Sequence, residues 1–424
     1  MIGFLGKFVF LLAFVVLLGY FNEKVTKLTH EISLMLFSFL AGSVFLVIGT
    51  AFGNISSVQV FLEQVQVFDL EMFLVKGVLC FMLFAGSCHM RLADLKKYAK
   101  GVTVLAVGAT FLGAVFYGLL FYGASYFLGM HMPLPVCLMF GSVVAPTDPI
   151  AATSILKKFN LPSGIGFTIE GESLFNDGVG VALFVCFSGL VTAQENGGVL
   201  FVLFKELFGA ILVGCVVTVI CFLIFSRTRD EARQIFTSLL AVSMSYLLCD
   251  VLGFSGAIAS VVCGILFSAL RDWQEQKGMP MELQQFDSFW EILDNLLNSV
   301  LYVILGLSFL HILQMPDVFL LSLVAIAANL LARSGSLGIS VLFLRELPDG
   351  YDRGSFIKLL TWGGLRGGLS VALAMSTRSM LDENTYYIVL GCTYAIVFFT
   401  TIVQGLTMKR VYQGIERKRV NKCK

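Results

Sequence analysis

Two short stretches of this chain hold carboxylates inside apolar surroundings: Glu170-Gly171-Glu172-Ser173-Leu174-Phe175-Asn176-Asp177-Gly178 and Ala145-Pro146-Thr147-Asp148-Pro149. On a helix Glu172, Ser173, Asn176 and Asp177 fall at offsets of 0, 1, 4 and 5, which is one face. A carboxylate taken out of water holds its proton more firmly, whereas a nearby cation favours the ionised form, so protons and metal ions compete for the same oxygens. If such a site changes sides only when neutralised, that competition couples two flows without a covalent step. The donors here are hard oxygens suited to Na⁺ or K⁺: the carboxylates of Asp177 and Asp148, the Ser173 hydroxyl, and Thr147 with the carbonyls freed beside it. Asp177 is the expected carrier of proton and ion. Asn176, which cannot titrate, is expected to hold the chain breaks together by hydrogen bonds, and Glu172 to be structural.

Two arginines also lie deep in apolar runs, Arg333 in Asn329-Leu330-Leu331-Ala332-Arg333-Ser334 and Arg366 in Trp362-Gly363-Gly364-Leu365-Arg366-Gly367-Gly368. An unpaired arginine in hydrocarbon is costly, so each is expected to have a partner, and either suits Glu172. Lys76, Lys205 with Glu206, and Lys358 lie nearer the ends of apolar runs and are expected to reach out to the interface. Asn295 and Asn298 are expected to hydrogen-bond between helices. Asp250, Glu291 and Asp294 receive no role. The four His and ten Cys are dispersed, without a C-x-x-C pair, which gives no framework for a resident metal or for disulfides. Phe and Met stripes read as packing, and no cofactor is expected.

The elements that position these groups are membrane spans. Of 424 residues, 57% are apolar and 13% charged, whereas a soluble domain carries about 25% charged residues. Apolar runs of about 20 residues, each long enough to cross roughly 30 Å of hydrocarbon as a helix, recur along the chain. Thirteen spans are expected, approximately at 3–21, 32–52, 69–89, 101–128, 134–156, 164–193, 199–225, 234–252, 254–270, 289–312, 317–344, 355–377 and 385–408. The first run lacks the basic head and cleavage site of a signal sequence and is read as a span. Together they form a single transmembrane domain over 1–424, embedded from about residue 3 to 410, with a basic tail at 411–424.

Loop charge gives an orientation, because cytoplasmic loops retain Lys and Arg. Basic residues follow the odd-numbered spans: Lys24 and Lys27; Arg91, Lys96, Lys97 and Lys100; Lys157 and Lys158; Arg227, Arg229 and Arg233; Arg271 and Lys277; Arg345 and Arg353. The tail adds Lys409, Arg410, Arg417, Lys418, Arg419, Lys422 and Lys424, while the opposite loops hold only Arg378, with Lys7 near the start. The N-terminus is therefore expected outside and the tail in the cytoplasm of a multi-pass protein of the plasma (inner) membrane. The scattered charge and net +1 give no nucleic-acid surface.

Spans 5 and 12 cannot be regular helices. Pro146 and Pro149 flank Asp148, and four glycines surround Arg366; proline removes a backbone donor, and a freed carbonyl survives in hydrocarbon only where it lines a cavity or an ion site. The two spans are seven apart, so they run in opposite directions. Discontinuous helices at corresponding places of inverted repeats point to the midplane site of a secondary transporter. Two other classes are weighed against this. Asp148 and Asp177 as the dyad of an intramembrane aspartyl protease lack the Gly-x-Gly-Asp pattern of such enzymes, and a cation channel needs no alternating access. Without a Walker A sequence an ATP-driven pump is not supported. The chain is read as a transporter, not an enzyme.

With these residues in view, the chain resembles the monovalent cation/proton antiporters of the NhaP and eukaryotic Na⁺/H⁺ exchanger branch. The resemblance rests on Ala145-Pro146-Thr147-Asp148-Pro149, on Glu172-Ser173 followed by Asn176-Asp177, and on Gly363-Gly364-Leu365-Arg366-Gly367, and extends over nearly the whole chain. It implies exchange of Na⁺, K⁺ or Li⁺ for H⁺, an all-α fold of inverted repeats with two crossed discontinuous helices, a homodimer and an elevator-like motion. It implies site roles for Thr147, Asp148, Glu172, Ser173, Asn176, Asp177, Arg333 and Arg366. In one respect the chain departs from the family. Many members have an acid after Leu-Phe in span 3, where Leu83-Phe84 is followed here by Ala85. A ligand fewer leaves a K⁺-preferring antiporter of the same fold as the alternative.

Overall fold

The computed structural model describes residues 4–51, 77–148, 162–192, 199–228, 230–277, 284–310 and 318–422. Among these the chain is helical throughout. The first helices are α1 (Phe4–Phe21), α2 (His30–Ala51), α3 (Leu79–Cys88), α4 (Leu92–Thr103), α5 (Thr110–Phe127), α6 (Leu134–Val143), α7 (Ser163–Val191) and α8 (Val199–Phe225). They are followed by α9 (Glu231–Leu252), α10 (Gly256–Gln276), α11 (Gln284–Ser308), α12 (Val318–Leu342), α13 (Arg353–Gly363), α14 (Gly368–Ser376), α15 (Glu383–Phe398) and α16 (Gly405–Lys422). Ten continuous helices among the described residues are long and apolar enough to cross a membrane, and Leu79–Cys88 and Leu134–Val143 are shorter apolar helices. The outward face of α8 shows why: Phe201, Phe204, Phe208, Leu212 and Val216 recur at helical spacing and are all exposed, as a lipid-facing stripe must be.

Each of the thirteen expected spans coincides with a described helix, and the differences lie at their ends. α4 and α5 form one rod, joined by a π-helical turn at Val104–Ala109, which begins at Leu92 rather than at 101. Hydropathy falls there because Lys96, Lys97 and Lys100 are exposed, but the opposite side of α4, with Val102 buried, packs on α7. The last span likewise continues through a π-helical turn at Phe399–Gln404 into α16, so the expected basic tail is helical to Lys422. Met408, Tyr412 and Ile415 form its buried side. The Tyr351 hydroxyl donates to Glu416, and Arg419 bonds the Glu416 carboxylate at 3.0 Å and the Asp349 carbonyl at 3.1 Å. Parts of spans 3, 5 and 10 lie outside the described residues, Lys76 and Pro149 among them.

Packing divides the helices into two groups. α5, α6, α7 and α12 pack on one another, and α14 and α15 join them. In the other group α11 packs on α2, α3 on α10, and α8 with α9 and α10. The first group contains both breaks. α6 ends at Val143, after which the chain stays non-helical through Asp148; α13 ends at Gly363 and α14 starts at Gly368. The breaks touch: the Asp148 amide donates to the Leu365 carbonyl at 2.8 Å. Gly367 is required by this approach, since a Cβ there would lie 2.5 Å from Asp148 Oδ2. Gly141 serves α5 in the same way, its Cβ position lying 2.0 Å from the Ala114 carbonyl oxygen.

Candidate functional site

α7 carries the acidic face as its sequence requires. Glu172, Ser173, Asn176 and Asp177 are all buried on it, opposite the first break. The start of this helix is held from a distance: its N-cap, Pro162, has no side-chain oxygen, and the Ile165 amide instead donates to Asp349 Oδ2 at 2.8 Å. That carboxylate satisfies one of the unpaired amides of the first turn and lies at the positive end of the helix dipole.

Asn176 joins helix to break. Its side-chain oxygen accepts from the Thr147 amide at 3.1 Å, and its amide nitrogen donates to Thr147 Oγ1 at 2.7 Å and to Glu172 Oε1 at 2.9 Å. The Thr147 and Ser173 hydroxyls are 2.8 Å apart and hydrogen-bonded. A backbone amide left unpaired by the missing turn is thus satisfied by a side chain on the neighbouring helix.

The two arginines divide the remaining work. Arg333 binds Glu172 through both terminal nitrogens, each at 2.8 Å, in a buried bidentate pair. Of the two arginines open to Glu172 on sequence grounds, the partner is therefore Arg333. Arg366 instead donates to the carbonyls of Ala145 and Pro146 and to Asn329 Oδ1, the last at 3.1 Å. Its own amide donates to Thr400 Oγ1 at 3.0 Å, and Thr401 Oγ1 donates to its carbonyl at 3.2 Å. Its guanidinium therefore covers the carbonyls that the first break exposes. α15 and its π-helical turn hold the second break.

Asp148 and Asp177 face a cavity of about 60 Å³ between the two helix groups. Its other walls include Leu79, Met82, Leu83 and Gly86 of α3, Pro146 and Thr147 of the first break, Leu174 of α7, Asn298 and Leu301 of α11, and Gly367–Ser370 at the start of α14. Space of this size holds more than one water-sized sphere. Asp177 makes no hydrogen bond or ion pair among the described residues, although only 8% of its surface is exposed. Asp148 accepts a hydrogen bond from the Tyr302 hydroxyl of α11. Ser173 reaches this centre through Thr147. Ala85 is buried in a separate apolar cluster with Phe84 and Trp290, and the α3 residues beside the cavity are apolar.

Tyr302, bonded to Asp148, is a candidate site residue that sequence reasoning missed. A tyrosine in an apolar run reads as packing; its position four residues after Asn298, one turn along the same face, is the only signal. Two other expectations need correction. Asn298 bonds within its own helix, to the Asp294 carbonyl and carboxylate at 2.8 and 2.9 Å, because i and i−4 face each other there. Glu206 does not reach out beside Lys205: Lys205 is exposed and Glu206 is buried, the two pointing to different sides of α8. Lys358 is exposed as expected.

The family described as "Sodium/hydrogen exchanger, transmembrane" matches residues 44–414, a stretch that includes both breaks, the acidic face and both arginines. The chain belongs to this family. Similar proteins include the Na⁺/H⁺ antiporter NhaP of Pseudomonas aeruginosa, 30% identical over 367 residues covering 83% of this chain and 84% of the relative. The Na⁺/H⁺ antiporter NhaH of Halobacillus aidingensis is 31% identical over 340 residues, 78% of this chain and 81% of the relative. The fold is similar to that of the sodium proton antiporter MjNhaP1 from Methanocaldococcus jannaschii, with a TM-score of 0.76 at 20% identity, covering 97% of this chain and 98% of that one. As a sodium/hydrogen exchanger family member the chain is a multi-pass membrane transporter and not an enzyme.

Proposed function

We propose that this chain exchanges Na⁺ for H⁺ across a membrane by alternating access, with cation and proton competing for Asp177. The observation that carries this reading is a buried carboxylate without a partner among the described residues, facing a cavity beside two helix breaks. Every other charge of the cluster is engaged: Glu172 by Arg333, Arg366 by carbonyls, and Asp148 by Tyr302. The relatives named as Na⁺/H⁺ antiporters support the ion pair. Asp148 and the oxygens of Thr147 and Ser173 complete the hard-donor set, while Asn176, Glu172, Arg333 and Arg366 hold it in place. Neutralising the site with either a proton or a cation removes the cost of carrying a bare carboxylate through a low-dielectric barrier, which is the physical basis of coupling. The charge pattern of the loops supports an outside N-terminus and a cytoplasmic α16, and the family resemblance supports a homodimer.

Proteoliposomes with an imposed pH gradient test this. Na⁺ is expected to dissipate the gradient, and Asp177→Asn to lose at least nine-tenths of the rate, about the factor of ten that corresponds to 1.4 kcal/mol. Normal exchange by the Asn variant rejects Asp177 as carrier. The same assay with K⁺ and Li⁺ separates Na⁺ exchange from the K⁺-preferring alternative, and unitary currents across a planar bilayer mark a channel.

A further inference from the structure

Behind the breaks, on the side away from Asp177, lies a second and smaller cavity of about 10 Å³, whose lining includes Thr110 and Tyr117 of α5, Asn329 and Arg333 of α12, Ala145 of the first break and Arg366 of the second. Four of these residues bring a buried polar atom that has no hydrogen-bond partner among the described residues: Thr110 Oγ1, the Tyr117 hydroxyl, Arg333 Nε and Arg366 Nε. Buried polar atoms are almost always paired, so four orphans around one cavity call for a common explanation. They cannot pair through the arginines alone, because both Nε–H groups are donors and neither accepts.

We propose that this cavity is a binding site for one water molecule, which accepts from the Nε–H groups of Arg333 and Arg366 and donates to the hydroxyl oxygens of Thr110 and Tyr117. The volume is about that of one water-sized sphere, and a buried water typically has roughly two to four polar partners. Two donors and two acceptors match its hydrogen-bonding capacity. A metal cation is disfavoured by the two guanidinium groups that line the cavity. The terminal nitrogens are already committed, those of Arg333 to Glu172 and those of Arg366 to Ala145, Pro146 and Asn329. The water therefore links the two arginines into one unit that ties α7, both breaks and α12 together. It is a structural solvent site that supports the exchange site from behind and does not depend on which ion is carried.

A structure of the intact protein in lipid nanodiscs, at a resolution that resolves buried water, is the direct test. The expected result is one peak within hydrogen-bond distance of both Nε atoms. A bromide-dependent signal in that place, or no peak while other buried waters are visible, overturns the proposal. Thr110→Val and Tyr117→Phe provide a second test, since each removes one hydroxyl with little change in volume. Each is expected to lower the melting temperature by about 2 °C, and, because both serve one water, the double variant is expected to lower it by little more than either alone. Additive losses overturn the shared site.

Discussion

Glu172 and Asp177 lie on one helix, both buried, but in different surroundings. On the arginine side of the breaks, Glu172 is enclosed by Arg333 and Asn176, and each of its oxygens has a donor. On the cavity side, Asp177 has no partner among the described residues and faces open space with Asp148. The same residue chemistry is thus structural in one place and available to a transported ion in the other. What separates them is the supply of donors, since a carboxylate already held by a bidentate guanidinium has little to gain from a cation. Removing one partner of a hydrogen-bonded carboxylate pair is therefore expected to have different effects on the two sides: loss of stability behind the breaks, and altered ion handling in front of them.

The largest effect is expected from opening the arginine side. Glu172→Gln leaves Arg333 buried without its counter-charge and is expected to cost about 3–5 kcal/mol, read as a marked fall in melting temperature in detergent. Replacing both partners, Glu172→Gln with Arg333→Gln, is expected to recover part of that loss; a single variant as stable as the parent shows that the pair is not the support inferred from its geometry.

A smaller effect is expected in front. Tyr302→Phe removes one donor from Asp148 and keeps the ring. Hydrogen bonds to charged groups contribute roughly 1.5–3 kcal/mol, only part of which reaches the bound state, so the apparent KM for Na⁺ is expected to rise about threefold to tenfold with the melting temperature nearly unchanged. An unchanged KM with a lowered melting temperature shows that Tyr302 only packs.

The smallest lies away from both sides. Asp382 caps α15, accepting from the Thr385 amide at 3.0 Å, and the bonds from Thr385 hold its carboxyl below the ordinary aspartate range. A group whose folded pKa is depressed contributes stability above its unfolded pKa and loses it as pH falls through the folded value. Asp382→Ala is therefore expected to cost about 1 kcal/mol at neutral pH, and the gap between parent and variant to close as the pH is lowered through and below the ordinary aspartate range. A gap that stays constant with pH rules out the charged cap.

The contrast between the two sides was only partly legible in the sequence. Pro146 and the glycines around Arg366 mark the breaks because each has a local cost that a regular helix cannot meet. The face shared by Glu172, Ser173, Asn176 and Asp177 follows from helical spacing alone. The choice of Arg333 over Arg366 does not, since the pair is separated by 161 positions and neither run carries information about register. Tyr302 is hidden because a tyrosine within an apolar run reads as packing, and α4 and α16 because amphipathic helices at a membrane boundary lose hydropathy before they lose helicity. Asn298 is the opposite case: its partner, Asp294, lies four residues away on the same face, and the local pairing was passed over for a distant one.

Competition for Asp177 is the central claim, and proton release on ion binding tests it most directly. Adding Na⁺ to the purified protein in weakly buffered detergent solution, near the pH where activity is half-maximal, is expected to release protons in a saturable way, and Asp177→Asn to release none. Saturable Na⁺ binding without proton release, or equal release from the Asn variant, contradicts the account.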